Sequence, residues 1–197
     1  AQKLAAFHRQ QYARSVEVVS TEQVYEEFGS GIADPSAIRN FVKMLYDRNS
    51  NRLKYLLLLG SGSYDPRNRV VNNYRFIPTH QSDQSLDPIS SYTSDDFFGM
   101  LNDTVDINRG NALQAVDIAV GRIPARNVTE ANAMVDKIIR YHDPSRFGEW
   151  RNRLLFIADD RDQNLHLNDA EGVSAKAKNT FFQTQKIYLD AYPLVSG

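Results

Sequence analysis

The chain has 197 residues, of which 42% are hydrophobic and 24% are charged, and its formal net charge is −1. This composition is typical of a soluble globular domain with its own core, and the near-neutral charge gives no indication of a nucleic-acid partner. No apolar run approaches the ~20 residues of a membrane-spanning helix, so we expect no membrane span. Cysteine is absent, which excludes disulfides, thiolate metal ligands and a cysteine nucleophile within these residues.

The first part of the chain is predicted to be mostly helical. Apolar residues between Leu4 and Tyr12 recur at helical spacing, so we expect the chain to begin inside a helix and to carry no signal peptide. Ser15–Ser20 is predicted as a short strand and Thr21–Phe28 as a short helix. The pair Asp34-Pro35, an acceptor cap followed by proline, predicts the start of a helix that runs to Tyr46.

A central strand is predicted from Tyr55 to Leu59, because five consecutive apolar residues indicate a strand covered on both faces. It ends in the loop Gly60–Pro66, at the strand edge where α/β sheets gather functional groups. This loop lacks both the third glycine of a dinucleotide fingerprint and the Gly-Lys-Ser/Thr of a P-loop. Residues 61–111 are rich in Asn, Asp, Ser and Pro, which predicts a long irregular segment with a turn or short helix at Ser94–Leu101.

Strands and helices alternate in the second half of the chain. A capping-box pattern at Asn127 opens one of the helices, and Asp143-Pro144 ends it. The alternation predicts a three-layer α/β/α fold with a mainly parallel sheet. The other predicted elements are the strand Asp117–Ile123, the strand Arg153–Ala158, a helix from about Asn168 to Phe182, and the strand Gln185–Leu189.

An acidic loop follows the strand Arg153–Ala158. Its oxygen-bearing side chains are spaced like those of a calcium loop, but Leu165 stands where the sharp turn favours glycine. The alternative is a solvated turn in which Asn168 caps the next helix. The candidate calcium ligands are Asp160, Asp162, Asn164 and Glu171.

A second oxygen-rich group lies in the long loop, and its spacing fits no named metal motif, so a polar surface loop is the favoured interpretation. Its members are Asp95, Asp96, Asp103, Asp106 and Asn108.

Of the four histidines, we expect His8 and His142 to pack on helices and His166 to lie on the surface. No two of the four, His80 included, have metal-ligand spacing. The residues alone therefore indicate an α/β domain without catalytic machinery of its own.

Five stretches in a fixed order resemble the gingipain-like cysteine peptidases, in particular the sortases of the bacterial type IX secretion system. The stretches are Tyr55–Asp65, Tyr92–Leu101, Asp117–Ala125, Val135–Tyr141 and Leu155–Asp160. The resemblance implies an incomplete, caspase-like α/β fold. It assigns residues 1–150 to a first, N-terminal subdomain and residues 151–197 to the start of a second, truncated subdomain. The family's catalytic histidine and cysteine motifs do not occur, so no catalytic residue is expected in this chain.

The function implied by this resemblance is that of part of a cysteine endopeptidase that removes the C-terminal sorting signal of exported proteins. The alternative is a catalytically silent binding or scaffold domain on the same fold. Implied partners are the cargo signals and other secretion-system components, in the cell envelope, at the outer-membrane surface or outside a bacterium. Alignment with arginine-specific relatives places the substrate-binding position at Asp169 or next to it at Asn168, and calcium is known in the family.

Overall fold

The computed structural model describes residues 1–65, 69–71, 73, 76–82, 86–87, 91–103, 115–159, 163–178 and 180–193. The chain divides into two compact units, residues 1–139 and residues 140–197, which are described separately below. The described helices are α1 (Gln2–Tyr12), α2 (Thr21–Phe28), α3 (Pro35–Arg48), α4 (Val128–Tyr141) and α5 (Leu165–Ala177). The described strands are β1 (Tyr55–Leu59), β2 (His80–Gln81), β3 (Thr93–Ser94), β4 (Ala119–Ile123), β5 (Arg153–Ala158) and β6 (Gln183–Tyr188).

The first unit has three layers around the parallel pair β1–β4, whose register runs from Tyr55 opposite Ala119 to Leu59 opposite Ile123. Helices α2 and α3 pack on one face, in a core that includes Leu58, and α1 and α4 pack near the ends of the strands on the other. The short strands β2 and β3 form a separate antiparallel pair. The predicted α/β class with mainly parallel pairing is therefore confirmed, with an α/β/α arrangement in this unit.

The predicted helix starts are confirmed by their caps. Asp34 Oδ1 accepts a hydrogen bond from the Ser36 N–H at 2.6 Å, and Asn127 Oδ1 accepts one from the Glu130 N–H at 2.9 Å. The Ser20 side chain and Gln23 complete a reciprocal capping box at α2. These contacts are local in sequence, which is why the sequence predicts them well.

Two expectations about strands are wrong. Ser15–Ser20 is not a strand: after the left-handed Ala13 the chain runs without a strand partner, and the carbonyl of Val16 accepts a hydrogen bond from Arg9 Nε at 3.1 Å. Strand β1 is not covered on both faces, since Tyr55 and Leu57 are 62% and 49% exposed. The guanidinium of Arg14 lies 4.8 Å from the centre of the Tyr55 ring, so an arginine covers part of this face instead of an apolar layer.

The second unit contains the parallel pair β5–β6 and the helix α5, which contacts both strands. Strand β5 has the predicted bounds, and β6 begins two residues before the predicted Gln185. The apolar side chains on one face of the pair are exposed: Leu155 by 53%, Ile157 by 68% and Ile187 by 39%. Helix α5 starts at Leu165, directly after the left-handed Asn164, so the predicted cap at Asn168 is wrong.

None of the helices in the described ranges is both long and apolar enough to cross a membrane.

Candidate functional site

The carboxyl edge of the β1–β4 pair is held by the side chain of Arg122. Its Nε and Nη2 donate to the two carboxylate oxygens of Asp95, each at 2.7 Å. Its Nη1 donates to the carbonyls of Gly60 at 3.1 Å and Ile77 at 3.2 Å, and Nη2 donates also to Pro78 O at 3.3 Å. A guanidinium has five N–H donors, and these contacts use all of them. Arg122 therefore joins the ends of two strands to two loop segments.

The loop after β1 is also held by its own backbone. Ser61 O accepts hydrogen bonds from the N–H groups of Phe76 at 2.9 Å and Ile77 at 3.1 Å. Gly60 has φ of +149°, a conformation that favours glycine. A Cβ on Gly62 would lie 2.3 Å from Thr79 Cγ2. The two glycines that resemble a phosphate loop in the sequence thus have structural roles. Gly60 adopts a backbone conformation that favours glycine, and Gly62 allows its segment to pack closely against Thr79.

The same loop buries a carboxylate. Asp65 is 7% exposed, and its Oδ2 accepts hydrogen bonds from the Val70 N–H at 2.8 Å and from Asn73 Nδ2 at 3.2 Å. Asn73 Nδ2 donates to Asp65 O as well, at 2.7 Å. These bonds give the buried carboxylate polar partners and connect Asp65 to Val70 and Asn73.

A cleft of about 520 Å³, lined mainly by residues with polar side chains, opens at this edge of the first unit. Its charged side chains are paired with each other or with close neighbours: Arg122 with Asp95, and Arg126 with Glu130 at 2.8 Å. Hydrogen bonds from Arg126 hold the pKa of the Glu130 carboxyl below its usual value. The cleft therefore offers hydroxyl and amide groups to a ligand. The lining includes Ser61, Ser63, Tyr64, Asn73, Thr79, Thr93 and Ser94.

The predicted calcium ligands lie at the end of β5 and on α5, where Asp160 and Asp162 fall outside the described residues. Asn164 is the left-handed residue that precedes α5, and its side chain makes no cap hydrogen bond. The Glu171 carboxylate accepts a hydrogen bond from Lys186 Nζ. That bond holds the pKa of Glu171 below its usual value. Calcium binding in this loop stays a prediction.

The predicted substrate-binding carboxylate, Asp169, lies exposed on α5, beside the exposed Asn168. Its role as a pocket residue stays a prediction.

His166 Nδ1 lies 3.2 Å from Asp159 Oδ1, a contact that sequence reasoning missed. The sequence shows an aspartate at the end of a strand and a histidine seven residues later, but this spacing alone does not predict that the two side chains meet.

In the second oxygen-rich group, two carboxylates have cationic partners. Asp95 pairs with Arg122, and Asp103 lies 3.7 Å from Arg39 and 3.5 Å from Lys43. Asp106 and Asn108 lie outside the described residues. The described part of the chain contains no group of three or more His, Cys, Asp or Glu side chains placed to hold a metal ion. These ion pairs favour the polar-loop interpretation for Asp95 and Asp103.

Three of the histidines contact aromatic rings. His8 lies against Phe7 and Tyr12, with centroid distances of 5.4 and 5.8 Å, and His142 lies 5.8 Å from Tyr141. The ring of His80 stacks on that of Phe97 at 4.5 Å. The packing predicted for His8 on a helix is confirmed, whereas His142 lies one residue beyond the end of α4. The chain contains no cysteine, so none of the histidines can activate a cysteine nucleophile of this chain.

Comparison with known proteins identifies the family. The sequence matches the description "Peptidase family C25" over residues 1–196. A structural relative is the dimeric latent PorU from Porphyromonas gingivalis, with 34% sequence identity and a TM-score of 0.64. The match covers 76% of this chain and 15% of the PorU chain. No curated protein matches the sequence.

The resemblance of the five ordered stretches to gingipain-like peptidases is thereby confirmed. The two similarities agree, since PorU matches in both sequence and three-dimensional arrangement. Because the family match extends over nearly the whole sequence, the chain belongs to peptidase family C25, the gingipain family.

Proposed function

We propose that this chain is part of a cysteine endopeptidase of the bacterial type IX secretion system, one that removes the C-terminal sorting signal of exported proteins. The observation that carries the proposal is the 34% identity to PorU over 76% of the chain, together with the family match. In this proposal the protein works in the cell envelope, at the outer-membrane surface or outside the cell. Its partners are the sorting signals of its cargo and other secretion components.

The role proposed for these residues is to support catalysis by other parts of the protein. A C25 peptidase needs a thiolate that attacks the scissile carbonyl and a histidine that protonates the leaving amine. This chain has no cysteine, and it spans 15% of the length of the PorU chain. The exposed apolar face of β5–β6, formed by Leu155, Ile157 and Ile187, is suited to packing against further parts of a peptidase domain.

Two finer assignments belong to the same proposal. Asp169 contributes to the pocket for the substrate's side chain, and calcium binds at Asp160, Asp162, Asn164 and Glu171. Carboxylate and amide oxygens are the ligands that calcium prefers. The exposure of Asp169 leaves its carboxylate accessible to a substrate.

The test compares the full-length protein that carries this chain with the isolated residues 1–197. Each is incubated with a cargo protein that ends in a sorting signal, with and without a thiol-alkylating reagent. We expect the full-length protein to release the signal and alkylation to stop it, whereas the isolated chain releases nothing under either condition. A matched control is cargo that lacks the signal.

One outcome would contradict the proposal, and another would show that the preparation is contaminated. If the full-length protein binds cargo but never cleaves it, the alternative of a catalytically silent binding domain replaces the peptidase. If the isolated chain cleaves cargo and alkylation stops the cleavage, the activity comes from a contaminant, because the chain has no thiol to alkylate.

A further inference from the structure

The second unit carries a cluster of aromatic rings around an arginine. The guanidinium carbon of Arg151 lies 3.7 Å from the ring centre of Phe147, 4.2 Å from that of Tyr141 and 5.2 Å from that of Trp150. Cations within about 6 Å of a ring centre are attracted by the ring's negative face. We call these four side chains the aromatic–arginine surface.

The geometry of this surface is fixed by hydrogen bonds and ring contacts. Arg151 Nη2 donates to the carbonyl of Tyr141, at the end of α4. Trp150 Nε1 donates to the carbonyl of Arg146 at 3.2 Å, and the rings of Tyr141 and Trp150 meet edge to face at 5.7 Å. A surface ordered in this way loses little conformational entropy when a partner binds.

The rings are nevertheless widely exposed. Tyr141 and Trp150 are each 50% exposed, and Phe147 is 54% exposed. Adjacent exposed aromatic side chains mark interaction sites more often than isolated ones do. Trp, Tyr and Arg are also the residues that most often dominate binding energy at protein interfaces. The composition and exposure of the surface therefore fit a binding role.

The charges indicate what kind of partner fits. Within the described ranges Arg151 has no carboxylate partner, in contrast to Arg122, Arg126 and Arg146, each of which forms an ion pair. Residues 140–153 contain four arginines and two carboxylates, in a chain whose net charge is −1. The surface is thus locally cationic, and its central cation is balanced by rings and a carbonyl only.

We propose that the aromatic–arginine surface binds an acidic peptide segment of a partner protein, whose carboxylates provide the counter-charge that Arg151 lacks while its backbone and side chains cover the exposed rings. This inference does not depend on the peptidase proposal. It rests on the rings of Tyr141, Phe147 and Trp150 and on the local positive charge.

The test uses the fact that Trp150 is the only tryptophan of the chain, so its fluorescence reports on this surface alone. The full 197-residue chain is titrated with a synthetic peptide of alternating glutamate and glycine. Matched peptides carry lysine or glutamine in place of glutamate. We expect the glutamate peptide to change the Trp150 emission with a saturable curve that weakens as salt is added. We expect neither matched peptide to do so.

Variants identify the contact. Arg151→Gln should weaken binding of the glutamate peptide by about tenfold or more, which corresponds to the loss of one strong contact. Arg52→Gln, which changes an exposed arginine of the first unit, should leave it unchanged. Because Arg151→Gln removes the centre of the cluster, its folding is checked by circular dichroism. A second variant, Arg140→Gln with Arg153→Gln, lowers the positive charge without touching the rings and should also weaken binding.

Several results would overturn the proposal. One is a folded chain whose emission does not respond to the glutamate peptide, and another is an equal response to the lysine peptide. A response to vesicles of anionic lipid but not to peptide would assign the surface to a membrane. A change of emission with protein concentration alone would assign it to a second copy of this chain.

Discussion

Arg122 and Asp95 form a bidentate ion pair in which both N–O distances are 2.7 Å, although 27 residues separate them in the sequence. Their side chains are 11% and 28% exposed, so water screens the pair only in part. The pair fixes the strand end of β4 to the start of the turn that carries Phe98, a fully buried residue of the core. This ion pair therefore adds a contact that is long-range in sequence to the backbone hydrogen bonds at this edge of the first unit.

We expect Arg122→Leu to destabilise the chain by about 2–4 kcal/mol, because it leaves a partly buried carboxylate unpaired and removes the donor of three carbonyls. Arg122→Lys should recover only part of the loss, since lysine cannot form the bidentate pair. The measurement is urea unfolding. The control is Arg126→Leu, which breaks a more exposed pair with Glu130 and should destabilise the chain much less. Equal losses for Arg122→Leu and Arg126→Leu would contradict this account.

Gly62→Ala should destabilise the chain, because the new Cβ would lie 2.3 Å from Thr79 Cγ2 and 3.2 Å from Ile77 O. Overpacking of this kind costs about 1–3 kcal/mol. Adding Thr79→Ser removes the clashing methyl group and should restore much of the stability. In contrast, Gly172→Ala on α5, where nothing lies within 4 Å, should stabilise the helix by up to about 1 kcal/mol. Thermal unfolding of the variants checks all three expectations. A lack of recovery on adding Thr79→Ser would show that the strain lies in the backbone.

The Glu171–Lys186 contact should stabilise the chain in a pH-dependent way. The hydrogen bond from Lys186 holds the pKa of Glu171 below its ordinary value of 4.5. A carboxyl with a lowered pKa in the folded state stabilises above that ordinary value, and the stabilisation is lost as the pH falls through the lowered pKa. We therefore expect the difference in unfolding midpoint between wild type and Glu171→Gln to be constant near neutral pH and to shrink below pH 4.5. The effect should be small, because both groups are partly exposed.

The partner variant provides the control for this pH dependence. Lys186→Met removes the same contact, so its midpoint should differ from wild type over the same pH range. If the difference between wild type and Glu171→Gln grows as the pH falls, the sign of the linkage is opposite and the contact is not what lowers the pKa.

Calcium in the millimolar range should raise the thermal midpoint of the chain relative to chelator, because a cation bound at the proposed ligands would stabilise the folded chain by mass action. Without glycine at the turn, we expect a weak affinity of about 10⁻⁴–10⁻³ M. Asp162→Ala should abolish the shift, whereas the matched variant Asp103→Ala, outside this loop, should keep it. No shift in wild type would make the loop a solvated turn. Equal shifts in wild type and Asp162→Ala would place the ion elsewhere.

The sequence predicts best what is decided locally. The caps at Asp34 and Asn127 and the apolar run of β5 need only neighbouring residues, and their predicted positions agree with the structure. The segment Ser15–Ser20 has a strand-like pattern, but a strand also needs a partner, which the pattern cannot supply. The start of α5 was misplaced because the left-handed Asn164 lets the helix begin before the cap-like Asn168.

The candidate site was harder to predict because its main contacts are long-range. In the sequence Asp95 stands among neighbouring acidic residues, yet its partner is Arg122 on β4. Likewise, the cluster around Arg151 depends on the way that the turns between α4 and β5 fold back on Tyr141. Spacing in the sequence carries no information about such contacts.

The three carbonyls bound by Arg122 have a consequence for how this protein family can diversify. Gly60, Ile77 and Pro78 accept through their backbone oxygens, and every residue type offers the same carbonyl. Substitutions at positions 77 and 78 therefore preserve these acceptors and keep the loop anchored, although a new side chain at 77 must still fit the core in which Ile77 is buried. Substitutions at positions 95 and 122 are more restricted, because these two side chains form an ion pair and a change of charge at one requires a matching change at the other.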